Sequence, residues 1–155
     1  MMLINNKKIK LIIVGDGPEM DFLQDLTKTL NLTGRVKFPG YIADDEKYSY
    51  LKNVDAFILT SLHEGFGIVF MEAMFAGLPI VCTNHGGQVD FLKHNENALL
   101  IDVGDVESCK KSIIKIYKDD NLYQVMSKNN KKKVKDFYAE NVAARYLKIF
   151  NEIRK

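Results

Sequence analysis

Short apolar runs of strand length alternate with longer stretches of helical period through the first hundred residues. Lys10-Leu11-Ile12-Ile13-Val14-Gly15 is β-branched and ends in a Gly-Asp-Gly-Pro turn, after which residues 18–30 place Met20, Leu23, Leu26 and Leu30 at helical spacing. The same reading predicts strands at Val36-Lys37-Phe38, closed by Pro39-Gly40, at Ala56 to Leu59, at Pro79 to Cys82 and at Ala98 to Ile101. It predicts helices over 44–53, 68–77 and, briefly, 87–93. From Val106 onward the period is helical, with two or three helices over 105–118, 120–136 and 139–154.

Uninterrupted apolar strands are buried on both faces, which happens when helices cover both sides of a parallel sheet. The expected fold is therefore a doubly wound, Rossmann-like α/β domain, with a five-stranded parallel sheet and a helical C-terminus. Ligands of such sheets bind beyond the carboxyl ends of the strands, which draws attention to residues 15–18, 39–43, 60–67, 83–87 and 102–105. No internal repeat, low-complexity tract or linker interrupts the chain.

Composition agrees with a globular domain. The 155 residues are 46% hydrophobic and 27% charged, with a net charge of +2, which excludes disorder. No run approaches the roughly 18 apolar residues of a membrane span, and the N-terminal MMLINNKKIK lacks the apolar core of a signal peptide. The chain reads as cytoplasmic. Cys82 and Cys109 are too few for a disulfide framework and read as reduced thiols. Asn31-Leu32-Thr33 matches a glycosylation sequon that such a location makes irrelevant. Residues 1–103 carry 9 basic and 13 acidic side chains, and residues 104–155 carry 13 and 7. The basic excess gathers at Lys128, Lys131, Lys132, Lys133 and Lys135. A solvated helix face is the favoured reading of that stretch; peripheral contact with the inner face of an anionic membrane, or with an acidic partner, is the alternative. Nucleic acid is not expected, because no aromatic residues interleave with a basic groove pattern.

The segment from Thr60 to Met74 carries the most chemistry. It leaves a strand, turns through Gly65 and Gly67 and enters a helix, so backbone N–H groups and the positive end of the helix dipole meet at the ligand edge of the sheet. Glycine at these positions allows a phosphate to approach the backbone or, more simply, permits a tight turn. Glu72 is the only charged residue in IVFMEAMFAGL, a helix predicted to pack on the sheet. A carboxylate there needs a cation, donors or a solvent-open cleft. It could take the vicinal hydroxyls of a sugar or serve as a structural ion pair. Glu64 lies eight positions earlier in the preceding loop. Asp44-Asp45-Glu46 reads as the acidic first turn of a helix, and no Asp-x-Asp motif or His cluster offers a metal site.

Glu64 and Glu72, set in E-G-F-G-I-V-x-x-E-A-M, resemble the two-glutamate motif of retaining GT-B glycosyltransferases, family 4. Further blocks are similar in the same order: LIIVGDGPE (Leu11–Glu19), VKFPGY (Val36–Tyr41), DAFILTS (Asp55–Ser61, with Thr60 where the family usually has proline), AGLPIV (Ala76–Val81), and Gly86-Gly87 with Asp90, where glutamate is commoner. The resemblance spans roughly residues 9–105. It implies a nucleotide-sugar donor site for a UDP- or GDP-sugar, with no metal cofactor and with retention at the anomeric carbon. Glu72 would bind the ribose hydroxyls and Glu64 would contact the donor sugar at the reaction centre. The amides of Phe66, Gly67 and Ile68 would hold sugar and phosphate oxygens. Main-chain groups near Tyr41 and Ile42 would read the base, and Gly15, Gly17, Gly86 and Gly87 would line the cleft.

The resemblance also implies absences. The family domain opens with one more strand, followed by an Arg and a Lys that hold the diphosphate, and Lys7, Lys8 and Lys10 lie too early to take that role. The acceptor-binding N-terminal domain is expected on a partner chain or segment, so the chain reads as a single, partial domain that is inactive alone. If the gap left by the central strand closes, the sheet order becomes 2-1-3-4-5. A non-catalytic nucleotide-sugar-binding subunit is the second reading. A flavodoxin-like or response-regulator-like domain lacks its acidic or flavin-stacking loops here, and the two-glutamate motif argues against a sugar-nucleotide epimerase.

Overall fold

The computed structural model describes residue 6 and residues 8–154; Lys7 and most of the segment read for a leader lie outside them. The chain forms two compact units that divide between Ser49 and Tyr50. The first contains β1 (Leu11–Val14), α1 (Met20–Thr29) and β2 (Val36–Gly40), and α2 (Asp44–Lys52) crosses the boundary. β1 and β2 run parallel with Leu11 opposite Val36 and Val14 opposite Gly40. The Gly15 N–H donates to the Gly40 carbonyl at 2.8 Å, which carries the pairing one step past β1. β2 runs through Pro39 and Gly40 instead of stopping before them. Among the described residues β2 is hydrogen-bonded on one side only, and a proline without an N–H is tolerated on such an edge strand.

The second unit holds β3 (Phe57–Leu59), α3 (Ile68–Ala76), β4 (Ile80–Thr83), β5 (Ala98–Ile101), α4 (Val106–Lys118), α5 (Asp120–Lys133) and α6 (Ala139–Ile153). Its three parallel strands lie in the order β3-β4-β5. β4 shows why the strand sequences are unbroken apolar runs. Successive side chains point to opposite faces, so Ile80 and Cys82 enter one core with Phe70, Met74, Phe91 and Leu92. Val81 enters the other, with Leu99, Ile101, Ile116 and Met126. Helices cover both faces, as the sequence predicts. Asn130 of α5 locks this arrangement: its buried Nδ2 donates to the carbonyls of Leu78 (2.8 Å) and Asn97 (2.9 Å).

The α/β class, the parallel pairing and the helical C-terminus match expectation. The strands form a two-stranded sheet in the first unit and a three-stranded sheet in the second, with the orders 2-1 and 3-4-5 that the predicted order contains. Burial differs between the two sheets. All four residues of β4 are buried, as an interior strand demands, while Leu11 and Val14 of β1 remain 42% and 43% exposed. The predicted short helix over 87–93 is a single 3₁₀ turn, Gly87–Asp90. A second 3₁₀ turn, Val134–Phe137, separates α5 from α6.

Candidate functional site

In the second unit the candidate residues gather at the start of α3. Gly67 caps this helix with φ of +75°, a left-handed conformation that favours glycine, and no side chain bonds the first-turn amides. The first turn also lacks any acidic residue. A helix start leaves up to four N–H groups without intrahelical partners and a partial positive charge. Here the amides of Phe66, Gly67, Ile68 and Val69 have no protein acceptor among the described residues. A Cβ built on Gly65 would meet no atom within 4 Å. The backbone is thus open at Gly65, whereas at Gly67 the Phe70 ring and the Glu64 side chain leave no room for a Cβ.

The loop that presents these amides is braced from behind. The Gly87 N–H donates to the Glu64 carbonyl at 2.9 Å. A Cβ on Gly86 would collide with the Glu64 carbonyl oxygen, and one on Gly87 with that of Gly65. Both glycines thus allow two backbones to touch, a role distinct from the cleft lining that the resemblance implies. Thr83 donates its hydroxyl to the Ser61 carbonyl at 2.8 Å. Buried Gln88 donates to the carbonyls of Thr83 (2.9 Å) and His85 (3.0 Å). Gln88 and Thr83 were not candidates from sequence, because nothing local marks a polar side chain as a brace. The Phe66 ring packs edge-on or tilted against Phe91 (5.3 Å between centroids) and Phe137 (5.9 Å). The His63 and His85 rings meet edge to face at 5.7 Å beside Glu64.

Glu72 stands one turn into α3, about 6 Å along the axis from Ile68. Phe70, Ala73 and Met74 form the buried face of α3, while Ile68 and Phe75, at i−4 and i+3 from Glu72, are 70% and 50% exposed. Glu72 is half-buried on this outward face, not in the contact with the sheet. Glu64 is likewise half-buried. The thiols are not nucleophile candidates: burial pushes Cys82 up to about 12 and raises Cys109. No group of three or more His, Cys, Asp or Glu side chains among the described residues could hold a metal ion.

The other four candidates belong to the first unit. Gly15 and Gly17 follow β1, where the Gly17 N–H bonds the Asp16 carboxylate at 2.8 Å, and a Cβ on either glycine would meet nothing within 4 Å. Tyr41 and Ile42 follow β2, and the Tyr41 side chain is 81% exposed.

An open, uncapped helix start with a glutamate on either side is a geometry that comparison with known proteins can decide. The profile of the family "Glycosyl transferases group 1" matches residues 2–133. The chain belongs to this family. Among curated relatives, this group 1 chain is 32% identical over 144 residues to the 2-deoxystreptamine N-acetyl-D-glucosaminyltransferase of Niallia circulans, covering 92% of the chain and 37% of the relative. It is 33% identical over 142 residues to the lipopolysaccharide core biosynthesis glycosyltransferase LpsE of Rhizobium meliloti (strain 1021), covering 91% and 41%. Among solved structures, Anabaena Alr3699/HepE in complex with UDP superposes with a TM-score of 0.80 at 26% identity, covering 96% of this chain and 42% of that one. The group 1 chain thus has the fold of the nucleotide-sugar-binding half of GT-B enzymes and spans about two fifths of these relatives' length.

Proposed function

We propose that the chain is the donor-binding portion of a retaining glycosyltransferase that moves a hexose-type sugar from a UDP- or GDP-sugar to a glycan, lipid or polysaccharide acceptor held by a separate acceptor-binding half. The observation that carries this reading is the start of α3: four amides without protein acceptors, no capping side chain, no acidic first-turn residue, and Glu64 and Glu72 to either side. A diphosphate placed there meets fixed N–H donors and the positive helix end, which stabilise the charge that grows on it as the glycosidic bond breaks. Glu72 accepts hydrogen bonds from the two ribose hydroxyls, for which an ionised carboxylate has acceptors only. Glu64 faces the sugar. Relatives support the substrate class: HepE is solved with UDP-glucose, and a relative from Mycobacterium tuberculosis, 31% identical over 116 residues, is named a GDP-mannose-dependent mannosyltransferase. The base is therefore left to experiment. Tyr41, Ile42, Gly15 and Gly17 keep the roles implied by the resemblance as expectations for the first unit.

The test is calorimetric titration of UDP, GDP and their sugars onto the chain, followed by addition of a candidate acceptor-binding half. Glu72→Gln is expected to weaken nucleotide binding by roughly 10- to 100-fold, the worth of charge-assisted hydrogen bonds. Gly65→Ala is expected to fold normally yet bind more weakly, since its methyl points into open space. Nucleotide affinity untouched by Glu72→Gln would remove the ribose assignment. Sugar transfer that appears only with the second half establishes the divided enzyme, whereas binding without transfer under any pairing favours a non-catalytic subunit.

A further inference from the structure

A second charged feature of the second unit lies at the other end of α3, about 10 Å along the helix axis from the open amides. There an open basin of about 420 Å³ is lined by Phe75, Lys128, Lys131, Lys132, Lys135 and Tyr138, over a floor that includes buried Val134. Lys128, Lys131 and Lys132 fall at i, i+3 and i+4 on α5, so the helical period places them on one face, and Lys135, in the 3₁₀ turn that follows, lines the same basin. All four are exposed and have no carboxylate within 4 Å among the described residues, and no acidic side chain lines the basin. Lys133, off this face, is paired with Asp136 at 3.0 Å.

Two observations set this basin apart from an ordinary solvated face. Cations in the last turn of a helix complement its dipole, which accounts for Lys131 and Lys132. It does not account for Lys128, a turn earlier, or for Lys135, beyond the helix end. The stem of Lys131 also lies directly over Gly77, where any Cβ would collide with its Cε. Gly77 ends α3 with φ of +77°, a left-handed conformation that favours glycine, and the absence of a side chain there leaves room for this lysine. The result is a concave surface with aromatic walls and an uncompensated cationic rim, matched to an anion joined to a less polar body.

We propose that this basin binds a phosphate-bearing group, presented either as the headgroup of an anionic phospholipid or as a soluble phosphate ester. The inference uses none of the donor-site residues and stands or falls separately from the donor reading. It is tested with the full chain in two arms. One measures co-sedimentation with vesicles of phosphatidylglycerol in phosphatidylcholine, and the other the heat of titration with inorganic pyrophosphate, both at low salt, where such contacts are least screened. The test variant is Lys128→Gln with Lys131→Gln, Lys132→Gln and Lys135→Gln. The control removes the same charge elsewhere through Lys37→Gln, Lys111→Gln, Lys118→Gln and Lys148→Gln. All eight side chains are exposed, and far-ultraviolet dichroism confirms folding. Binding in either arm that falls by about fivefold per basin lysine removed, with the control near wild type, supports the site and identifies the source. Absence of binding in both arms, or equal loss in basin and control variants, overturns it.

Discussion

The two units use similar elements to very different effect. In the first, the single buried residue among those described is Thr27, and Leu11, Val14 and Phe22 stay 42%, 43% and 60% exposed. In the second, β4 is buried end to end and Phe70, Ala73, Met74, Ile80 and Leu92 are fully inaccessible. A strand pair is marginal until something covers a face, whereas three strands with helices on both sides bury a core of their own. The second unit can thus hold a loop such as 64–67 in a fixed shape, because everything behind that loop is packed. The first unit presents its glycine turns from a much thinner base.

The sharpest way to break this contrast is to truncate one phenylalanine in each unit. Phe70→Ala removes a ring that meets Phe57 at 5.9 Å and Phe91 at 6.4 Å, and is expected to cost about 3–5 kcal/mol in urea unfolding. Phe22→Ala is expected to change stability by no more than about 0.5 kcal/mol. Equal losses would mean that the first unit's exposed side chains are packed in solution. Next comes Asn130→Ala, which strips the buried Leu78 and Asn97 carbonyls of their shared donor and is expected to cost about 2–6 kcal/mol, roughly 1–3 for each group left unpaired. Thr27→Val in the first unit loses one bond, from its hydroxyl to the Leu23 carbonyl at 2.8 Å, and is expected to cost about 1 kcal/mol or less.

The paired glycines carry the same contrast into function. Gly87→Ala drives a methyl into the Gly65 carbonyl, so the loop bearing the open amides must move. It is expected to destabilise by about 1–3 kcal/mol and to weaken nucleotide binding at least as much as Glu72→Gln. Gly17→Ala has free space around it and is expected to leave the melting temperature unchanged. A Gly87→Ala protein with wild-type nucleotide affinity would show that the brace does not position the site.

Much of this was legible in the sequence, and what was not has a common cause. The strand and helix positions follow from local signals: β-branched runs, Gly-Pro punctuation and a 3.6-residue period. Glu64, Gly67 and Glu72 were legible because their motif is continuous. Contacts between distant segments were not. The Phe66 ring meets Phe137 across 71 positions, Gly87 abuts Gly65, and Asn130 reaches back to Leu78. Within each unit the strand order, 2-1 and 3-4-5, follows from the same local signals. The sequence shows α3 to be almost wholly apolar but not which of its faces is covered; the outer one leaves Ile68 and Phe75 exposed.

The smallest expected effect concerns the helix caps, and it divides the units in the same way. α1 begins at Glu19 with no side-chain cap bond. α4 begins at Asp105, whose carboxylate accepts from the Ser108 N–H at 2.9 Å and from the Ser108 hydroxyl at 2.7 Å. These bonds favour the ionised form and hold the Asp105 carboxyl below the usual aspartate value, with the Ser108 amide the main cause. A group with a depressed folded pKa contributes stability that is fully present above its unfolded value, roughly 3.9, and is lost as pH falls through the lower folded value. Wild-type protein should therefore lose this contribution only in strongly acidic solution. Asp105→Asn, which can still cap but does not titrate, should flatten that part of the curve of unfolding midpoint against pH. If this variant follows the wild-type curve, the Asp105 bonds do not persist in solution, and α4 starts as free of a side-chain cap as α1.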